Sequence, residues 1–237
     1  MAISTNPLAW LRSVQPRRAI ALLLLLLPLT VGAQTVRDLW LSMPPSLAPY
    51  LSTSLRTQCL DFYDMHTDAQ TDNALKGKSR IDTLTSTFLA ATLSKAHTLQ
   101  MKLLPASGSA SGLGSSLGSG SSSSLSSCDS VLCVVRSWDG PKRDSEVQLF
   151  DRQWKPLQAP FTFSADSFVC RPDTMSEERF SRLVALLDPI MFSVSLSPAE
   201  NVLLVKLSPV VPNPEDEKAI EQILVQRKLK WDGKIFK

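Results

Sequence analysis

Residues Val131 to Trp154, VLCVVRSWDGPKRDSEVQLFDRQW, constrain the fold more than any other stretch. Side chains alternate along a strand, so Val131, Cys133 and Val135 face one way and Leu132 and Val134 the other. Apolar residues on both faces predict a central strand covered on both sides. Asp139-Gly140-Pro141 is a turn signal, because Gly tolerates positive φ and Pro fixes φ near −65°. Glu146 to Phe150 alternates as a return strand. The stretch therefore reads as a hairpin at the heart of a sheet.

The chain opens differently. Arg12, Arg17 and Arg18 precede a continuous apolar run, Ala19 to Leu27, and Val31-Gly32-Ala33 supplies small residues for signal-peptidase cleavage. An uncleaved anchor is the alternative. As a helix, Ala19 to Val31 would span about 20 Å, short of the ~30 Å hydrocarbon core. Residues 1–33 are read as a signal peptide and 34–237 as a single domain with no transmembrane segment. The leader carries three Arg and no acid. Of 25 Lys+Arg and 22 Asp+Glu in the whole chain, 22 of each remain after cleavage. A neutral exported chain does not fit nucleic-acid binding, which requires a basic face.

Export permits disulfides. Four cysteines, Cys59, Cys128, Cys133 and Cys170, allow three pairings. Cys59 and Cys133 fall on apolar faces, which suits buried thiols. Cys128 and Cys170 lie near loops and form the candidate disulfide.

Further along, Thr35 with Asp38 has capping-box spacing ahead of Leu39, Trp40 and Met43. Pro44-Pro45 stops that helix. A second helix is expected from Pro45 through Leu47, Tyr50 and Leu51. A third carries Leu55, Cys59, Phe62 and Tyr63 on one face. Asp64 to Lys78 reads as loop. Ile81–Thr85, Thr87–Leu93 and Thr98–Leu104 read as strands. Residues 106–127, almost only Ser, Gly, Ala and Leu, bury too little apolar surface to offset ordering and are expected to be a disordered insertion. A hairpin tip tolerates such an insertion because loop closure grows only logarithmically with length. Thr174 with Glu177 suggests a capping box before Phe180, Leu183, Val184 and Leu187. Met191–Leu196 and Val202–Leu207 suggest strands. Asn213-Pro214 suggests a capped helix with Ile220, Ile223 and Leu224 buried. Leu229, Trp231 and Ile235 suggest a terminal strand. The sum is an α+β fold: an antiparallel sheet built from hairpins, with helices packed on one face.

Several of these residues also resemble a known family. Thr35-Val36-Arg37-Asp38-Leu39-Trp40 with Met43-Pro44, Met101-Lys102-Leu103-Leu104-Pro105, Leu149 to Leu157, Ser195-Leu196-Ser197-Pro198 and Lys230 to Phe236 are similar to a family of exported proteins of unknown function from Bacteroides- and Prevotella-type bacteria. The resemblance spans nearly all of 34–237, with the Ser/Gly tract as its main departure. It implies a periplasmic or envelope location in a Gram-negative bacterium. It transfers no catalytic residue.

Candidate chemistry is sparse. His66, between Asp64 and Asp68, could join a divalent-metal site, but the spacing matches no known metal loop; a polar helix end is the alternative. His97 is expected to face solvent. Gly112 to Gly118 imitates a dinucleotide fingerprint without the helix that the motif needs. The acids Glu177, Glu178, Glu215, Asp216 and Glu217 sit in first turns of helices, where carboxylates are ordinary. No catalytic, cofactor or metal residue is therefore assigned. Trp138 and Trp154 are the candidate binding surface, Trp138 the more exposed because it adjoins a turn. Asp-(Ser/Thr)-apolar triplets at Thr83, Ser130 and Thr174 resemble O-glycosylation acceptors of such bacteria, with Ser130 expected to be the most accessible. The function expected is a non-enzymatic binding or scaffolding module of the envelope, whose partner is an envelope protein or glycan. The alternative is a periplasmic hydrolase of glycan or peptide. A pocket with converging carboxylates or His66 would favour the hydrolase; an apolar patch or open sheet edge would favour the binding module.

Overall fold

A computed structural model describes residues 34–106, 130–158, 163–211 and 213–237. Residues 1–33, read as a signal peptide, residues 107–127 of the Ser/Gly tract and Cys128 lie outside them. The described residues form the expected α+β fold. A seven-stranded sheet runs as an unbroken antiparallel meander: β1 (Thr71–Asp72), β2 (Lys78–Leu84), β3 (Phe88–Ser94), β4 (His97–Pro105), β5 (Ser130–Asp139), β6 (Arg143–Phe150) and β7 (Pro156–Leu157). β4 pairs with β5 from His97↔Trp138 to Pro105↔Ser130. The two ends joined by 107–129 are therefore directly adjacent.

β5 is an interior strand of this sheet and its first half is buried on both faces, as its pattern predicts. Leu132 and Val134 enter one core, together with Leu89, Leu99 and Met101. Helices α1 (Val36–Ser42) and α2 (Thr53–Asp64) cover that core. Val131, Cys133 and Val135 enter a second core on the opposite face. There a second sheet lies, where the strand patterns predict only one. It consists of β8 (Phe192–Leu196), β9 (Val202–Leu207) and β10 (Arg227–Lys230) in the order β10-β9-β8. Helices α3 (Glu177–Ala185) and α4 (Pro214–Glu221) add Leu183, Ala219 and Ile220 to the same core.

Polar side chains of the large sheet dock the small one. Edge strand β8 donates the N–H groups of Phe192, Val194 and Leu196 to Asp144 Oδ1 (3.4 Å), Ser145 Oγ (3.1 Å) and Gln100 Oε1 (2.8 Å). An edge strand normally leaves such groups open to pairing with another chain; here they are occupied. Lys102 is 2% exposed. Its ammonium donates to the carbonyls of Ser197 (2.6 Å), Pro198 (3.0 Å) and Glu200 (2.8 Å) in the β8–β9 turn. Trp231 Nε1 donates to the Pro105 carbonyl at 2.7 Å.

Thr35 caps α1 with the full capping box, and Asn213 caps α4 by accepting from the Glu215 N–H at 3.0 Å. Other local expectations fail for identifiable reasons. Residues 45–50 form turns rather than a helix, because Pro49 removes a donor and restricts Ala48. Buried Arg56 binds the carbonyls left there, those of Leu41, Met43 and Leu51. Ser176, not Thr174, caps α3, accepting from the Arg179 N–H. The stretch read as loop contains β1 and the buried Asn73, whose amide reaches Ser79 Oγ and the Leu93 carbonyl. At the C-terminus Trp231 bridges Phe236, and Phe236 rather than Ile235 enters the core.

Candidate functional site

In a meander the β1–β2, β3–β4 and β5–β6 turns share one end of the sheet. On the helix-bearing face, the segment before α2 reaches that end through Tyr50. There β4, β5 and β6 build a corner. Trp138, near the end of β5, stands 39% exposed. His97, its register partner on β4, stacks on the indole at 5.1 Å and 10°. The Arg136 guanidinium lies 5.5 Å from the ring centroid and donates to Glu146 at 2.6 Å. Gln148 also donates to Glu146, at 2.6 Å. Tyr50, from the turn segment before α2, hydrogen-bonds His97 Nδ1 through its hydroxyl.

His97 thus faces the interior, not solvent: it is 8% exposed. The pairing with Trp138 and the overlying Tyr50 bury it. Burial, and then the positive charge of Arg136, pull its pKa below the ordinary histidine value. Burial pushes the Tyr50 hydroxyl up to about 12. Both groups stay neutral near pH 7, so the indole is held by a rigid, largely uncharged brace and one Arg–Glu pair.

Trp154 does not share this surface. Asp151 Oδ1 accepts from the Gln153 and Lys155 N–H groups, closing a tight turn. Trp154 takes φ 64° there. That turn directs the indole inward, to 8% exposure, where it donates to Ser42 Oγ and meets Phe150. Ser130 is also buried, at 8%, because it begins β5 opposite Pro105; its Oγ accepts from Arg152 Nε at 2.8 Å. Ser130, expected to be the most accessible of the three acceptors, is the least. Thr174 is exposed and free of any capping duty, and Thr83 is half-buried on β2. Cys170 is exposed and its candidate disulfide partner, Cys128, lies outside the described residues, while Cys59 and Cys133 are buried as their faces suggested. Burial raises the pKa of both buried thiols.

A second feature lies between α2 and the outer edge of β2. It is an open polar cleft of about 420 Å³, lined among others by Tyr63, His66, Asp68, Arg80 and Asp82. His66 has φ 52°. The Thr67 N–H reaches back to the Phe62 carbonyl at 3.2 Å, so His66 occupies the left-handed position that glycine usually takes after a helix. Asp82 is committed on both oxygens, to Arg80 Nε and to Thr92 Oγ1, each at 2.7 Å. Among the described residues no three His, Cys, Asp or Glu side chains come together as a metal site. No described helix is long and apolar enough to cross a membrane.

A family described as "protein of unknown function (DUF3256)" matches residues 28–113 and 123–236. The chain belongs to that family. The stretch between the two matches, 114–122, falls within the Ser/Gly tract. A solved structure, of a domain of an uncharacterized protein from Porphyromonas gingivalis W83, superposes with a TM-score of 0.63 at 22% identity. The match covers 85% of this chain and 98% of that one. At that identity the likeness establishes a shared fold. No curated protein matches the chain. Neither family nor neighbour assigns a role to Trp138 or to the cleft.

Proposed function

We propose that this member of the family is a non-enzymatic binding module exported to the bacterial envelope, and that it meets its partner at the Trp138 end of the large sheet. One observation carries the reading. Three of the four described tryptophans are buried, Trp40 at 0%, Trp154 at 8% and Trp231 at 9%, whereas Trp138 is 39% exposed and locked between aromatic and cationic neighbours. Exposed Trp with Arg and Tyr beside it is the composition of binding hot spots. Pre-ordering the side chain lowers the entropy cost of association. The arginine-rich, apolar start of the sequence and the small residues before position 34 support export.

Fractionating cells that express the full chain tests the proposal. The wild type should travel with the envelope, and a folded Trp138→Ala variant should move to the soluble fraction. Unchanged partitioning of that variant would overturn the reading. The hydrolase alternative draws on the cleft, whose lining includes His66, Asp68 and Asp82. It requires glycan or peptide cleavage that His66→Ala abolishes.

A further inference from the structure

Among the described residues five large apolar side chains are exposed: Met65, Leu75, Trp138, Ile190 and Val210. Four of them gather at one end of the molecule. Leu75, 70% exposed, lies in the β1–β2 turn, and Trp138 beside the β5–β6 turn. The Ala74 N–H bonds the Tyr50 carbonyl, and Tyr50 bonds His97 under Trp138, so these turns are tied together. Ile190 precedes β8, whose first N–H reaches Asp144 next to the β5–β6 turn. Val210 follows β9, whose last residue, Leu207, pairs with Phe192. Met65 lies instead at the end of α2, next to the cleft.

The charges between these residues are unequal. Asp72, Asp139, Glu146 and Glu217 are each paired with a cation, namely Lys78, Arg143, Arg136 and Lys142. Asp144 accepts backbone N–H groups from Phe192 and Ser145, and Asp188 lies beside Ile190, off the large sheet. Along the rim from Leu75 to Trp138, about 14 Å for three strand spacings, the exposed Lys76 and Lys95 have no acidic partner among the described residues. Apolar tips on separate turns, interspersed with free lysines, do not enclose a peptide or a small molecule. They match the layered chemistry of a bilayer surface, where Trp sits at headgroup depth and Lys meets anionic lipid.

We propose that this end of the molecule docks on an anionic membrane surface, with Trp138, Leu75, Ile190 and Val210 entering the headgroup region and Lys76 and Lys95 meeting lipid phosphates. The proposal rests on the reading of this end as the contact surface and names the partner. Contact is peripheral: the lysines supply attraction and the apolar tips supply depth.

Flotation of the purified exported protein, residues 34–237, with vesicles tests it. Phosphatidylcholine vesicles containing phosphatidylglycerol should carry the protein, and pure phosphatidylcholine should not. Raised salt should weaken binding, since exposed charges are screened. Tryptophan emission should shift to the blue on binding in the wild type and not in Trp138→Phe. Lys76→Gln with Lys95→Gln, both surface changes, should lower partitioning about thirtyfold, and Leu75→Ser should lower it further. Equal flotation with both lipids, or flotation untouched by the lysine pair, overturns the proposal. So does the absence of flotation. If vesicles fail while Trp138→Ala still leaves the envelope fraction, the contact surface stands and its partner is an envelope protein or glycan instead of lipid.

Discussion

Replacing Lys102 by Met tests the docking of the two sheets. The methionine keeps most of the stem's volume, so the change isolates the ammonium. Its donors meet three carbonyls at 2.6, 3.0 and 2.8 Å. Hydrogen bonds from a charged donor contribute about 1.5–3 kcal/mol each, so three give roughly 5–9 kcal/mol. Withdrawing an ammonium from water costs several kcal/mol in return. The difference leaves a net stabilisation of about 1–3 kcal/mol. The three carbonyls belong to a surface turn and can rehydrate in the variant, so little orphaning penalty is added. The expected outcome is a loss of about 1–3 kcal/mol in urea unfolding. Thermal unfolding should fall by ~2–4 °C per kcal/mol for a domain of this size. Hydrogen exchange should accelerate first in residues 197–201, the turn that the ammonium holds. A variant as stable as the wild type, or more so, would show that desolvation outweighs the three bonds and would refute the reasoning.

Three further outcomes follow from the same structure. His97 has its pKa lowered by burial and by Arg136, so the unfolded chain binds more protons between the folded value and about 6.5. Stability should therefore be whole above that upper limit and decline as pH drops below it. His97→Phe keeps the stack on Trp138, and denaturant midpoints across pH should lose that component; identical slopes would contradict the assignment. His66→Gly relieves a left-handed residue and should raise the unfolding free energy by about 1 kcal/mol; a loss would show that the imidazole makes a stabilising contact in the cleft. Ser176→Ala should cost about 1 kcal/mol and Thr174→Ala almost nothing. The reverse order in chemical denaturation would restore Thr174 as the cap.

Nearest-neighbour physics made much of this chain legible from its residues alone. Val131–Val135 carries apolar side chains on both faces, and β5 is buried on both. Thr35/Asp38 and Asn213-Pro214 mark helix starts that need only local hydrogen bonds, and both appear where their spacing puts them. Thr174 shows how narrow that logic is. A serine two residues on caps the helix instead, accepting from the Arg179 N–H, and local spacing does not rank the two.

Tertiary structure decided what distance along the chain conceals. The second sheet is invisible in strand patterns, because alternation says which face is apolar and not what covers it. Nothing local marks Lys102 or Arg56 for burial; only the fold brings carbonyls from 95–98 residues away to one and from a broken helix segment to the other. Trp138 and Trp154 are equivalent as residue types. A turn with positive φ buries one, and a place beside the β5–β6 turn leaves the other in the open. Local composition determines which elements form, since propensities and caps act over a few residues. Exposure, and with it any contact surface, depends on which elements come to lie against one another, and that is a property of the packed whole.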